Sequence, residues 1–397
     1  MAERKGMEVS IAIAEAASAC DVDCIAAYPI TPQTHVVEHL SEIVADGDLD
    51  AEFIPVESEH AAMSCCCGCA AAGARTFTAT ASQGLALMHE ILFIAANLRL
   101  PMVMVVANRS LSGPISIWND HSDVMTERDV GWVQVFAENG QEAVDMVIMG
   151  HRMSEDKRIL LPLMVNFDGF ILSHMVEPIE MPTREEVKKF LPDFEPQQRL
   201  DIDNPITMGP VGMPVVYTEA KMAAEWAVRD AYEPMVEIMG EFEKQFGRKY
   251  KPVETYRTDD AEILFVMLGG IAETAMTWVD RVRDKGVKVG LVRFRIWRPL
   301  PVDDFKKAIA GAKVLGVLDR HFSPGGPGGP MAQEIKYMLY GQDHAPKIVE
   351  TVVGLGGRDV NFADFDQIFD RCKAVLGGAP IPPFELIQVR GGHYGKA

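Results

Sequence analysis

Residues 101–107 read PMVMVVA, an unbroken apolar run of strand length. A strand tolerates such a run only when both of its faces are covered, as in a parallel sheet flanked by helices. Its neighbours keep that promise. RTFTATA (75–81) is another short strand pattern, and SQGLALMHEILFIAANL (82–98) lies between the two with a helical period. Upstream, EVSIAIAEAASAC (8–20) predicts a helix, DCIAAYPI (23–30) a strand ending at Pro29, PQTHVVEHLSEIVADG (32–47) a helix and AEFIPV (51–56) a strand. SEHAAMSCCCGCAAAGA (58–74) predicts a helix of small residues. WVQVFAE, a helix near 140–155 and LLPLMVNFDGF follow after a polar loop over 108–122. Strands separated this regularly by helices predict a doubly wound α/β domain.

Residues 171–215 break the rhythm with Pro, Met and acidic residues, and predict an irregular connection containing one short helix. TEAKMAAEWAVRDAYEPMVEIMGEFEKQFG (218–247) predicts one long helix. From about residue 256 the alternation resumes. AEILFVMLGG, VKVGLVRFRIW, AKVLGVLD and KIVETVVGLGG are strands of a second, smaller α/β domain. The expected division is 1–250 and 251–397.

The formal net charge of −19 argues against a nucleic-acid partner, because a polyphosphate backbone would be repelled. The greasiest stretch, ILFIAANLRLPMVMVVANR, is interrupted by Asn97, Arg99 and Pro101. A membrane span needs about 20 nearly uninterrupted apolar residues, so none is expected. The N-terminus shows no signal-peptide pattern. Seven cysteines, clustered and odd in number, do not suggest an extracellular disulfide framework, and a reducing cytoplasm fits best.

In open α/β sheets ligands sit beyond the carboxyl ends of strands, and four unusual segments fall at such places. In YPITPQT (28–34), Pro29 and Pro32 exclude continued strand or helix and hold Thr31 on a corner. Thr31 could equally be a helix N-cap. In PVESEHAAMS, Glu57 and Glu59 lie at a helix start, where a carboxylate serves either the helix dipole or acid–base chemistry. In NRSLSGPISIWNDHSDVM (108–125), Arg109 at a strand end could grip a carboxylate or be a solvated surface residue. His121 beside Asp120 and Asp123 suits a structural hydrogen bond better than a metal, which needs several convergent ligands. HFSPGGPGGPMAQE and GLGGRDV match neither a dinucleotide fingerprint nor a Walker loop, so close backbone packing suits them better than phosphate binding.

SCCCGC (64–69) holds four of the seven cysteines. On a helix Cys65 and Cys69 share a face, while Cys66 and Cys67 diverge. Neither C-x₂-C-x₂-C loops nor paired zinc elements are present. The run is expected to be helix packing that binds no metal, with free Cys acting as a small hydrophobe.

YPITPQT, ESEHAAMS, ARTFTATASQGLALMHE and ANRSLSGPISIWNDHSDVM, in this order, resemble the α subunit of the 2-oxoacid:ferredoxin oxidoreductases, nearest the pyruvate type. MVNFDGFILSH, NPITMG and GLGGRDV extend the resemblance over nearly the whole chain. It implies a thiamine-diphosphate pyrimidine-binding domain followed by a transketolase C-terminal-type domain. Glu59 then looks like the acid that hydrogen-bonds N1′ of the aminopyrimidine and favours its imino tautomer. Tyr28, Pro29, Ile30 and Gln83 look like further cofactor contacts, and Thr31 and Arg109 like the oxoacid's binding groups. The resemblance also implies partners: a β subunit holding the diphosphate and Mg²⁺, a γ subunit, a ferredoxin-like δ subunit, and ferredoxin as acceptor. Coenzyme A is the implied co-substrate, and the Fe–S clusters are implied in the partner chains. This chain has no GDG signature; ADGDLD is a helix-end turn.

Two departures widen the substrate range. TMGPVGMPVVYTEAKMAAEW lacks the aromatic richness of pyruvate enzymes, and SCCCGC replaces a more alanine-like run. A bulkier oxoacid such as phenylglyoxylate, with NAD as acceptor, is the alternative. A non-catalytic scaffold with a degenerate thiamine fold is the alternative of another class.

Overall fold

The computed structural model describes residues 4–390. Its first sheet has seven strands in the spatial order Ile296–Arg298, Val133–Phe136, Leu163–Asp168, Val103–Asn108, Thr76–Thr80, Cys24–Ala27 and Glu52–Pro55. All run parallel except Ile296–Arg298. Each strand of this parallel core is fully buried away from the Glu52–Pro55 edge, as the bare apolar runs require. From Cys24–Ala27 the chain goes outward to Glu52–Pro55, then back across to Thr76–Thr80. The strand order therefore reverses between Cys24–Ala27 and Thr76–Thr80, and the crevice beyond their carboxyl ends is the expected ligand position.

The second sheet has six strands, ordered Glu385–Leu386, Lys347–Val352, Val314–Asp319, Ile263–Met267, Val289–Phe294 and Val253–Tyr256, with only the last antiparallel. Three apolar clusters hold the layers together. One covers the outer face of the first sheet, one the outer face of the second, and the third is shared between the sheets. The shared cluster joins Ala62, Met63 and Cys66 of the first half to Val266, Val292 and Leu315 of the second.

Several expectations are corrected. VKVGLVRFRIW is two strands in different sheets. Val289–Phe294 stays in the second sheet, whereas Ile296–Arg298 crosses to pair with Val133–Phe136, anchored by Phe136 N donating to Arg295 O at 2.8 Å. The long helix is two helices, Pro214–Asp230 and Tyr232–Phe246, which break at Ala231. Pro234 lies in the first turn of the second, where a missing N–H costs nothing. The irregular 171–215 region does contain the short helix Arg184–Phe190, but also a strand, Val176–Glu180. That strand pairs antiparallel with Arg4–Glu8 as a small separate sheet. Neither strand shows a usable alternation, and Arg4–Glu8 is largely exposed.

The cysteine run does lie in a helix, Glu59–Ala72, which ends on Gly73 in the left-handed conformation (φ 99°). Cys66 is buried in the shared cluster, with Cys65 and Cys67 packed against its edge. Cys69 does not meet Cys65. It is bonded instead to Cys24 of the neighbouring strand, a long-range pairing that helical spacing could not reveal.

Candidate active site

Glu59 owes its position to a strand end and a helix start. Ser58 is extended, and its hydroxyl accepts from Ala61 N at 3.2 Å, so Glu59 occupies the first helical turn, where the dipole favours a carboxylate. The two carboxylates of ESE part company. Glu57 is exposed, whereas Glu59 is only 7% exposed. Its neighbour is the first turn of the helix Ser82–Asn97. A Cβ on Gly84 would lie 2.7 Å from Glu59 Oε1 and 2.5 Å from Thr80 Oγ1, so the buried carboxyl fits only because residue 84 has no side chain. The Thr80 hydroxyl is itself buried, with no hydrogen-bond partner among the described residues. Sequence reading missed Thr80 and Gly84. Both lie inside ARTFTATASQGLALMHE, but only the folded chain shows that Gly84 packs against Glu59 with Thr80 beside it.

Arg109 and Thr31 do come together, though through backbone rather than side chain. Arg109 Nη1 donates to the Thr31 carbonyl at 2.9 Å and Nε to the Ser116 carbonyl at 2.8 Å. Thr31 is exposed and precedes a cis bond to Pro32. It caps no helix, since the helix Thr34–Ala45 starts after Gln33. Arg109 is 6% exposed and is thus no solvated surface residue; burial lowers its pKa, opposed by the Asp123 charge. Tyr28 and Pro29 are exposed and Ile30 is half-buried, just past the carboxyl end of Cys24–Ala27. Gln33 Nε2 donates to the Tyr28 carbonyl at 3.0 Å and closes this corner.

Asp123 ties these parts together, and sequence reading gave it no such part. Its Oδ2 accepts from Arg109 N at 2.9 Å and from Ser82 N at 3.1 Å. Oδ1 accepts from Val124 N at 2.7 Å and Asn108 Nδ2 at 3.1 Å. One oxygen therefore positions both the base of Arg109 and the helix start that faces Glu59. Burial pushes the Asp123 carboxyl up to about 7, against the pull of these donors. Ser82 is held at φ 47°, unusual for a residue with a side chain, by Asp123 and by its hydroxyl donating to Ser110 O at 2.6 Å. That proton is then committed, so the Gln83 amide beside it at 2.7 Å must present its NH₂ to Ser82. Gln83 is half-buried at the same helix start as Gly84.

The second half of the chain closes around the loop of residues 109–121. Asp168 is buried; its Oδ1 meets His121 Nε2 at 3.0 Å, and its Oδ2 accepts from Arg320 Nη1 at 3.0 Å and Gly270 N at 2.9 Å. His121 thus has the structural role expected of it. Although burial opposes ionisation, Arg320 and His121 hold Asp168 well below the usual carboxylate range, at about 2. The strand order of the second sheet reverses between Ile263–Met267 and Val314–Asp319. Its own crevice is therefore filled by a side chain of the first sheet. The glycine-rich loops serve close packing as well. Gly356 N donates to Asp120 Oδ2 at 3.2 Å, and a Cβ on Gly357 would lie 2.5 Å from Trp118. Beyond PGGPGGP, the N–H groups of Met331 and Ala332 at a helix start are taken by Asp319 at 2.9 and 3.0 Å, which leaves no vacancy for a phosphate there.

Among the described residues no three His, Cys, Asp or Glu side chains converge as a metal site, and no helix is long and apolar enough to cross a membrane. A doubly wound sheet with a buried carboxyl at its switch point and no dinucleotide loop defines a class. Residues 15–240 match the family model described as pyruvate flavodoxin/ferredoxin oxidoreductase, thiamine diphosphate-binding. Residues 261–365 match the pyruvate:ferredoxin oxidoreductase core domain II. The protein is thus of the thiamine-diphosphate-binding oxidoreductase class.

Among its relatives is pyruvate synthase subunit PorA of Pyrococcus furiosus, 47% identical over 98% of each chain. Ketoisovalerate oxidoreductase subunit VorA of Pyrococcus horikoshii is 41% identical over 94% of each chain. The chain belongs to the pyruvate:ferredoxin oxidoreductase family, as an α subunit of the PorA type within a multi-subunit oxidoreductase. In fold it is similar to the 2-oxoglutarate:ferredoxin oxidoreductase of Magnetococcus marinus with 2-oxoglutarate, coenzyme A and succinyl-CoA bound. That likeness has a TM-score of 0.71 at 19% identity, covering 94% of this chain and 65% of the other.

Proposed function

We propose that this chain supplies the pyrimidine-side acid and the oxoacid grip of a CoA-acylating 2-oxoacid oxidoreductase whose substrate is pyruvate. The observation that carries the proposal is the buried Glu59 carboxyl, which faces Gly84 in a helix start held by the same Asp123 oxygen that holds the Arg109 backbone. An aminopyrimidine needs such a carboxyl, held in a low-dielectric wall and free of competing partners. Among the described residues nothing else hydrogen-bonds it, so the residues fit the cofactor. Thiamine diphosphate, when bound, supplies the carbanion chemistry that decarboxylates the oxoacid.

Glu59 then holds or shares a proton at the ring nitrogen. Tyr28, Pro29, Ile30 and Gln83 line the same crevice and exclude water from the ring. Arg109 spends two of its N–H groups on carbonyls of Thr31 and Ser116. Its Nη2 has no partner among the described residues and is turned to the substrate carboxylate, which a guanidinium grips well. Thr31 places a hydroxyl on the same corner for the oxoacid carbonyl. A β subunit holds the diphosphate and Mg²⁺, γ and ferredoxin-like δ subunits complete the complex, and electrons leave through their Fe–S clusters to ferredoxin. The domains divide at about residue 250, with Ile296–Arg298 reaching back into the first sheet.

Identity is 47–49% to six PorA chains, and 41% both to PorA of Methanosarcina barkeri and to VorA, so branched 2-oxoacids are the second reading. A substrate panel on the purified complex decides: pyruvate, 2-oxobutyrate, 2-oxoisovalerate, 2-oxoglutarate and phenylglyoxylate, each with coenzyme A and a viologen acceptor. Pyruvate is expected to give the highest kcat/KM. A higher value for 2-oxoisovalerate or phenylglyoxylate would overturn the substrate, and no bound thiamine would overturn the reading altogether.

A further inference from the structure

Two cysteines join the elements that frame the site. Cys24 opens the strand that runs into Tyr28–Thr31, and Cys69 lies in the last turns of the helix that begins with Glu59. Their Cα atoms are 6.5 Å apart, within the span of about 4.4–6.8 Å that a disulfide bridges, and their sulfurs are bonded. They stand 45 residues apart in sequence, and the closed loop contains Tyr28, Pro29, Ile30, Thr31 and Glu59. Access is one-sided. Cys24 is 3% exposed, whereas Cys69 is half-buried. The other thiols are poorer candidates. Cys20, Cys66 and Cys372 are buried, and Cys66 points at the Ala26 carbonyl, 3.8 Å away.

We propose that Cys24 and Cys69 form a reversible dithiol–disulfide site that exchanges with small-molecule disulfides and staples the Glu59 helix to the strand beneath it. In the reduced protein the Cys69 thiolate attacks one sulfur of an external disulfide, RSSR. The RS–SR bond breaks, and the departing RS⁻ takes up the proton that Cys69 released. Cys24 then attacks the Cys69 sulfur of the mixed disulfide, and the second RS⁻ leaves with the Cys24 proton. The net change is two cysteine thiols and one RSSR to one internal disulfide and two RSH, the cysteines giving up two electrons.

The bond lies at the amino end of the strand and toward the carboxyl end of the helix, away from Tyr28–Thr31 at the strand's other end and Glu59 at the helix's other end. It leaves the site's geometry intact and restricts the unfolded chain, because closing a long loop removes its freedom. Oxidation is therefore a stabilising modification with little effect on turnover.

The test uses the whole complex, reduced anaerobically and desalted. Half is incubated with 2-hydroxyethyl disulfide under argon; both halves are acid-quenched, denatured, alkylated and peptide-mapped. The expected result is a Cys24–Cys69 cross-linked peptide only in the oxidised half, reversed by thiol, with a higher melting temperature and turnover within twofold. A Cys65→Ala complex should give the same cross-link, and a Cys24→Ala complex a mixed disulfide retained on Cys69. A cross-link from Cys69 to Cys65, or alkylation of both Cys24 and Cys69 after oxidation, overturns the proposal. The wild-type map decides the matter even if Cys24→Ala fails to assemble.

Discussion

At the scale of single residues the site depends on one carboxyl and the space made for it. Glu59→Gln keeps the shape and removes the acid, so CoA-dependent oxoacid oxidation should fall by roughly 10²–10⁴-fold, the usual worth of a positioned acid–base group. Gel filtration should still show an assembled complex, and near-normal turnover would refute the assignment. Gly84→Ala pits two effects against each other. Alanine is favoured over glycine in a helix by about 1 kcal/mol. The new Cβ, however, meets Thr80 Oγ1 at 2.5 Å and Glu59 Cγ at 2.8 Å, and overpacking costs about 1–3 kcal/mol. The clash wins because both neighbours are buried on short tethers. We expect a lower melting temperature and a loss of activity larger than that of an exposed-helix control. Arg109→Lys should raise KM for the oxoacid more than it lowers kcat. A single ammonium cannot serve the Thr31 and Ser116 carbonyls and still present a planar edge. Steady-state kinetics with the oxoacid varied checks this.

At the scale of elements, the first sheet is pinned at its amino end by Arg75. Its guanidinium forks onto Glu155 at 2.7 and 2.9 Å and donates to the carbonyls of Cys20 and Pro192, both at 2.7 Å. Those three partners lie at the ends of three different helices, so one side chain sets their spacing on the sheet. Arg75→Met should cost about 3–5 kcal/mol, because Glu155 would be left buried with only the His151 ring beside it. Chemical denaturation measures the loss, and a Glu155→Gln second change should recover part of it. How legible the elements were follows from their burial. Val103–Asn108 and Leu163–Asp168 were plain because they are covered on both faces. Arg4–Glu8 and Val253–Tyr256 were missed because edge strands carry no such signature. The splitting of VKVGLVRFRIW was invisible, since both halves are equally apolar and only the partner strands differ.

At the scale of the whole molecule, a charged side chain of the first sheet occupies the crevice of the second. Asp168 titrates at about 2 in the folded protein, below its ordinary 3.8. A depressed carboxylate stabilises above its unfolded pKa and loses that contribution as pH falls through the folded one. Stability should therefore fall between about pH 4 and pH 2 by on the order of 2 kcal/mol from this group alone. Asp168→Asn should flatten that part of the pH–stability curve and lower stability at neutral pH, as it leaves Arg320 buried without its charge partner. An unchanged acid limb in the variant would remove Asp168 from the account.

The amino-acid sequence by itself determined the α/β class, the strand-end placement of Glu59, Thr31 and Arg109, and the family, because these rest on local periodicity and short ordered motifs. Tertiary structure alone decided what those residues touch. Asp123 binding Ser82 and Arg109 through one oxygen, Gly84 yielding space to Glu59, Cys69 meeting Cys24 and Asp168 entering the second sheet are all contacts between distant segments. They are set by which strands become neighbours and how helices settle on them, and no local period or spacing carries that information.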